Sequence, residues 1–188
     1  MHGLVALLEI QASRLRARAG PQGEPILLLE QNRTRWDQLL IQRRLAALAR
    51  AENVGGALGP DQLQATIAAC HARARTADAT DWTRIAALYD ALAQLAPSPI
   101  VELNRAVALA MAYGPAVGLA LVDQLATESS LKSYHLLPGV RGDRLVNLER
   151  YDEARIEFLR AADLTQNVRQ RELLLARAAE LPIATKRQ

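Results

Sequence analysis

The densest run of side chains able to make directional contacts is Arg33-Thr34-Arg35-Trp36-Asp37, with Glu30 just ahead of it. A guanidinium can grip a carboxylate through two parallel N–H···O bonds, and Arg and Trp are the residues that most often dominate protein interfaces. Arg33, Arg35, Trp36 and Asp37 are therefore the candidate interaction residues. The same pattern also fits a helix start in which Trp36 packs inward and Arg33 or Arg35 pairs with Glu9, Glu30 or Asp37, because buried arginines also pin helices together. Catalytic chemistry has less to build on. Cys70 and His71 are neighbours, and adjacent helical residues point about 100° apart, so they do not make a nucleophile and its base. Cys70 reads as a small buried residue, and His135, within Tyr134-His135-Leu136, as a surface or capping one. No glycine-rich phosphate loop, nucleophile elbow, HExxH or EF-hand pattern occurs. The expectation is a protein that is not an enzyme and uses no cofactor or metal.

The elements that must hold these residues are helical. Of 188 residues, 35 are Ala and 32 are Leu, and aromatics make up 4%, a composition that suits helix interiors and starves strands. One cysteine rules out an intrachain disulfide and points to the cytoplasm. No apolar run approaches the roughly 20 residues of a membrane span, and no membrane partner is expected. The net charge of +3 is spread along the chain: residues 1–58 carry 8 basic and 5 acidic groups, residues 59–127 carry 4 and 6, and residues 128–188 carry 11 and 9. A nucleic-acid reader concentrates its Lys and Arg on one face or arm, so direct nucleic-acid contact is not expected.

Between residues 60 and 165 similar helix pairs recur. Apolar residues at helical spacing run through Trp82, Ile85, Leu88, Tyr89 and Leu92, then through Leu119, Val122, Leu125 and Ala126, and again through Tyr151 to Ala161. Ile85, Leu119 and Ala154 align with spacings of 34 and 35 residues, the period of the tetratricopeptide repeat. Partner helices are expected over 61–72, 100–112 and about 133–148. Gly59-Pro60, Pro97-Ser98-Pro99 and Tyr113-Gly114-Pro115 supply the turns. Ala106, Ala110, Ala120 and Ala154 are expected to let helices approach closely, while Tyr89, Leu125 and Phe158 fill the seams. Pro138 lies inside the third of these segments, so that helix is expected to start late or to break.

Residues 1–58 fall outside the repeat. Residues 3–18 read as one amphipathic helix with a stripe of Leu4, Leu7, Leu8, Ala12 and Leu15, and a second long helix is expected to run to about Glu52 with Trp36, Leu39, Leu40, Leu45 and Leu48 largely on one side. Asn53 to Gly59 reads as a flexible connector. The fold class is all-α: about three tetratricopeptide-like αα-hairpins (59–165) after an N-terminal helical pair (1–58), closed by a capping helix and tail (166–188), in one compact right-handed solenoid-like domain.

Six blocks together resemble a known family. They are residues 3–14 (GLVALLEIQASR), 27–37 (LLLEQNRTRWD), 59–71 (GPDQLQATIAACH), 80–90 (TDWTRIAALYD), 96–107 (APSPIVELNRAV) and 134–137 (YHLL). In this order the chain is similar to the C-terminal extension of a group of bacterial extracytoplasmic-function sigma factors. The resemblance implies a helical, tetratricopeptide-like module that follows two sigma domains, which would precede this segment in the parent protein. It implies partners as well, namely those sigma domains or core RNA polymerase, and a regulatory role in transcription initiation. A free-standing adaptor that captures a peptide in a concave groove is the alternative expectation. Oligomeric state is not legible.

Overall fold

The computed structural model describes residues 2–53 and 59–183. Residues 54–58, most of the expected connector, and the tail residues 184–188 lie outside them. Among the described residues the chain is all-α, with nine α-helices packed as sequential hairpins and no strand. Contacts divide it into two compact units, Met1–Pro97 and Ser98–Gln188. The break coincides with Pro97-Ser98-Pro99, and the first expected repeat pair thus shares a unit with the N-terminal helices.

Unit 1 contains α1 (His2–Ser13), α2 (Gln38–Asn53), α3 (Pro60–Arg73) and α4 (Trp82–Leu95), with 3-10 turns at Leu15–Ala17 and Arg33–Arg35. Unit 2 contains α5 (Pro99–Tyr113), α6 (Pro115–Leu125), α7 (Leu136–Asn147), α8 (Tyr151–Leu164) and α9 (Val168–Glu180). Helix starts follow the local chemistry. Pro60, Pro99 and Pro115 occupy first helical positions, where the missing N–H costs nothing. Asp81, Ser98 and Asn167 accept hydrogen bonds from the backbone N–H groups of Arg84, Ile100 and Gln170 at 2.9, 3.2 and 3.1 Å, satisfying donors the helix leaves unpaired.

Pro138 sits in the first turn of α7, two residues past its start at Leu136. The helix begins late, as expected, and needs neither a kink nor a start at the proline itself, because the first four N–H groups of a helix have no intrahelical acceptor. The end of α7 holds a feature with no glycine to announce it. Glu149 has φ 59°, and the backbone closes through Glu149 N–H to Val146 O and Arg150 N–H to Leu145 O, both at 2.9 Å.

In unit 1, α1 packs on α2 and α3, and α3 packs on α4. Here the expected stripe of α1 is corrected. The buried side carries Ala6, Ile10 and Ser13, continued by Ala17, while Leu4, Val5, Leu8 and Leu15 are exposed. Ala6 meets Ala65, Ala68 and Ala69 of α3 in one cluster with Ile10 and Leu48. Small residues on both partners let two helices approach closely, and the bulkier leucines are displaced outward. The second N-terminal helix follows the Arg33–Asp37 segment and ends near Glu52 as expected, but Trp36 lies in the turn ahead of α2 rather than on it; Ile41 and Leu48 are buried, and Leu39 is exposed.

In unit 2, α5 pairs with α6, α7 with α8, and α9 covers α8. Ala106, Ala110 and Ala154 are buried as expected, but Ala120 faces out. The closest approach is instead at Gly118, where a Cβ would lie 2.4 Å from Ala110 Cβ and 2.6 Å from Ala106 O. Gly142 plays the same part between α7 and α8: a Cβ there would lie 2.6 Å from the Phe158 ring. Arg141 of α7 bridges Asp123 (2.8 Å) and Glu157 (2.9 Å). No described helix is long and apolar enough to cross a membrane.

Candidate functional site

The Arg33–Arg35 turn is held by Asn32, whose side-chain oxygen accepts from the Thr34 N–H at 3.0 Å and the Thr34 hydroxyl at 2.7 Å. The turn buries two side chains three residues apart and leaves the others outside. Arg33 is 7% exposed and Trp36 3%, whereas Thr34, Arg35 and Asp37 are exposed. The interaction cluster therefore has two parts, one built into unit 1 and one facing solvent.

The inward part centres on Arg33. Its Nη1 donates to the carbonyls of His71 (2.8 Å) and Ala74 (2.9 Å), and its Nη2 donates to Thr80 Oγ1 (3.0 Å). These acceptors lie at the C-terminal end of α3 and in the loop to α4. There the helix dipole is negative and the last carbonyls lack intrahelical donors. Arg33 thus caps α3 from a distant segment and ties its exit loop in place. None of the acids expected as partners is used in this way. Glu9 pairs with Arg44, and Asp37 Oδ1 accepts from the Leu40 N–H at 2.9 Å, capping α2.

Two guanidiniums flank the Trp36 ring, Arg33 at 5.1 Å and Arg14 at 5.7 Å from its centroid, within range of a cation–π attraction. Burial, then Arg18 and Arg33, bring the pKa of Arg14 down to about 10. His71, buried edge-on against Trp82 with centroids 5.1 Å apart, is pushed down to about 4 by burial and then by Arg14 and Arg33. It is neutral at physiological pH. Cys70 beside it is buried, and His135 is half-buried against Tyr134 at the start of α7.

The outward part lines an open pocket of about 440 Å³ formed by Arg16, Thr34, Arg35, Trp36 and Asp37. Among the described residues, neither the Arg16 nor the Arg35 side chain makes a hydrogen bond or ion pair. Arg16 was not among the residues singled out by sequence. Its signal was the alternation Arg14-x-Arg16-x-Arg18, which places three cations at the exit of α1. Among the described residues no group of three or more His, Cys, Asp or Glu is arranged to hold a metal ion.

Residues 1–52, which include the whole cluster, match the model of a family described as a family of unknown function (DUF6596). Over 167 residues the chain is 45% identical to an uncharacterized protein, R00370, of Rhizobium meliloti (strain 1021). That match covers 89% of this chain and 39% of the relative, so the chain spans about two fifths of the length of the protein it resembles. No solved structure matches it.

Proposed function

We propose that this chain is a regulatory protein-interaction domain of an extracytoplasmic-function RNA polymerase sigma factor, modulating transcription initiation through contacts with the sigma domains or with core polymerase. The interaction role is carried by the Arg16–Arg35 pocket, which both arginines line with no side-chain partner among the described residues. Arginines held without an acid are residues prepared to meet one on another surface. The transcriptional assignment rests on the six sequence blocks that resemble the sigma-factor extension. A relative that extends well beyond the matched region accords with a module joined to other domains.

The test is a pull-down of this chain against core polymerase and, separately, against the two sigma domains. Capture of either at near-stoichiometric level, weakened by Arg35→Ala, is the expected result. Capture of neither overturns the transcriptional reading. A free-standing adaptor is the second reading, favoured by the sequential helix hairpins, an architecture suited to peptide capture.

A further inference from the structure

The pocket does not stand alone. The outer face of α1 runs up to it, carrying Leu4, Val5, Leu8 and Leu15, with Leu8 59% and Leu15 62% exposed. Leu4 and Leu8 are one helical turn apart on α1, and Leu15, seven residues further on, opens the 3-10 turn Leu15–Ala17 immediately before Arg16. A further exposed leucine, Leu39, follows the turn, just past Asp37. A helix apolar on both faces is one that expects covering on both. Among the described residues of unit 1, α2 and α3 cover only the inner one.

Charge specifies what kind of segment belongs there. Arg14 and Arg33 lie against the Trp36 ring, Arg16 and Arg35 line the pocket, and the acid lining that pocket is Asp37, one of whose oxygens is taken by the Leu40 N–H. The guanidinium forks suit phosphate as well as carboxylate, but a phosphate would gain no backbone N–H donors from the turn, because those are spent. Thr34 N–H bonds Asn32 Oδ1, Arg35 N–H bonds Asn32 O, Trp36 N–H bonds Arg33 O, and Asp37 N–H bonds Ser13 O. Single-stranded nucleic acid would need an exposed ring to stack on, and Trp36 is buried. What remains available is a pair of planar donor forks beside a leucine stripe.

We infer that the outer face of α1 and the Arg16–Arg35 pocket form one docking surface for an acidic amphipathic segment of a partner protein. Its apolar side chains lie along Leu4, Leu8 and Leu15, and its carboxylates reach Arg16 and Arg35. This deepens the interaction reading of the same site and rests on it only in taking the pocket to be a protein contact.

The test uses the full chain and a fluorescent 16-residue peptide with Leu at helical spacing and Glu clustered in one terminal turn. Binding is read by anisotropy at low and high salt. The Glu peptide is expected to bind and to weaken with salt. The Arg16→Ala/Arg35→Ala double variant and a Glu→Gln peptide should each bind about tenfold more weakly, the loss of two exposed charge pairs. Leu8→Gln should weaken binding severalfold. All three positions are exposed, so circular dichroism should match the parent chain. Absence of binding, equal binding by the double variant or the Gln peptide, or displacement of the peptide by inorganic phosphate or a 12-nucleotide single strand would each overturn the assignment. Peptide binding without polymerase or sigma capture would remove the transcriptional reading alone. Capture that survives the double variant would remove the docking surface alone.

Discussion

Arg33→Ala is the most discriminating perturbation of unit 1. The side chain is 7% exposed and donates to the His71 and Ala74 carbonyls and the Thr80 hydroxyl at 2.8, 2.9 and 3.0 Å. A hydrogen bond from a charged donor contributes about 1.5 kcal/mol or more, and truncation leaves all three acceptors without their donor. Removing a buried charge also returns part of its desolvation cost, so the net loss is set at about 3 kcal/mol. Both tryptophans, Trp36 and Trp82, lie in unit 1, so intrinsic fluorescence in urea reads that unit. At a slope of about 1.5 kcal/mol per molar urea, the midpoint should fall by about 2 M. Arg33→Lys should recover only part of this, because an ammonium lacks the planar fork that reaches separated acceptors. Arg35→Ala, exposed and unpaired, should stay within about 0.5 kcal/mol of the parent. An Arg33→Ala midpoint within 0.3 M of the parent would refute the capping role, and so would equal destabilisation by Arg35→Ala.

Three further outcomes follow from the same geometry. His71 titrates at about 4 in the folded chain against about 6.5 when unfolded, so between those values the unfolded state binds more protons. Its contribution is complete above pH 6.5 and is lost as pH falls to 4, by about 3 kcal/mol; His71→Gln should flatten the urea midpoint across that window. Gly118→Ala forces a methyl group to within 2.4 Å of Ala110 Cβ and should destabilise unit 2 by about 2 kcal/mol in a helical circular-dichroism melt, whereas Gly139→Ala, with nothing within 4 Å, should not. Glu149→Gly relieves a side chain held at φ 59° and should raise stability by up to about 1 kcal/mol in the same melt.

Much of the local structure was legible because its causes are local. Asp81 and Ser98 mark helix starts, Pro60, Pro99 and Pro115 fit first positions, and Ile85, Leu92 and Phe158 are buried where helical spacing puts them. The errors fall where periodicity is ambiguous. In α1 nearly every residue is apolar or small, so spacing cannot choose between the leucine side and the Ala6–Ile10 side. The choice was made by α3, whose Ala65 and Ala69 accept only a small-residue face. Ala120 and Gly118 are a second case: two residues apart on α6, they exchange roles because the backbone of α5 comes closest to the glycine.

The candidate site divides along the same line. Its members Arg33, Arg35, Trp36 and Asp37 were visible as a run of residue types, and the sequence by itself also determined that the chain is helical, built of pairs and without an internal disulfide. Only the tertiary structure decided that Arg33 and Trp36 turn inward while Arg35 turns outward to line one pocket with Arg16. The reason is that the acceptors for Arg33 are backbone carbonyls of His71 and Ala74, some forty residues away. Residue type does not encode a carbonyl, since every residue carries one, and which carbonyls lie free is set by where α3 ends and what packs against it.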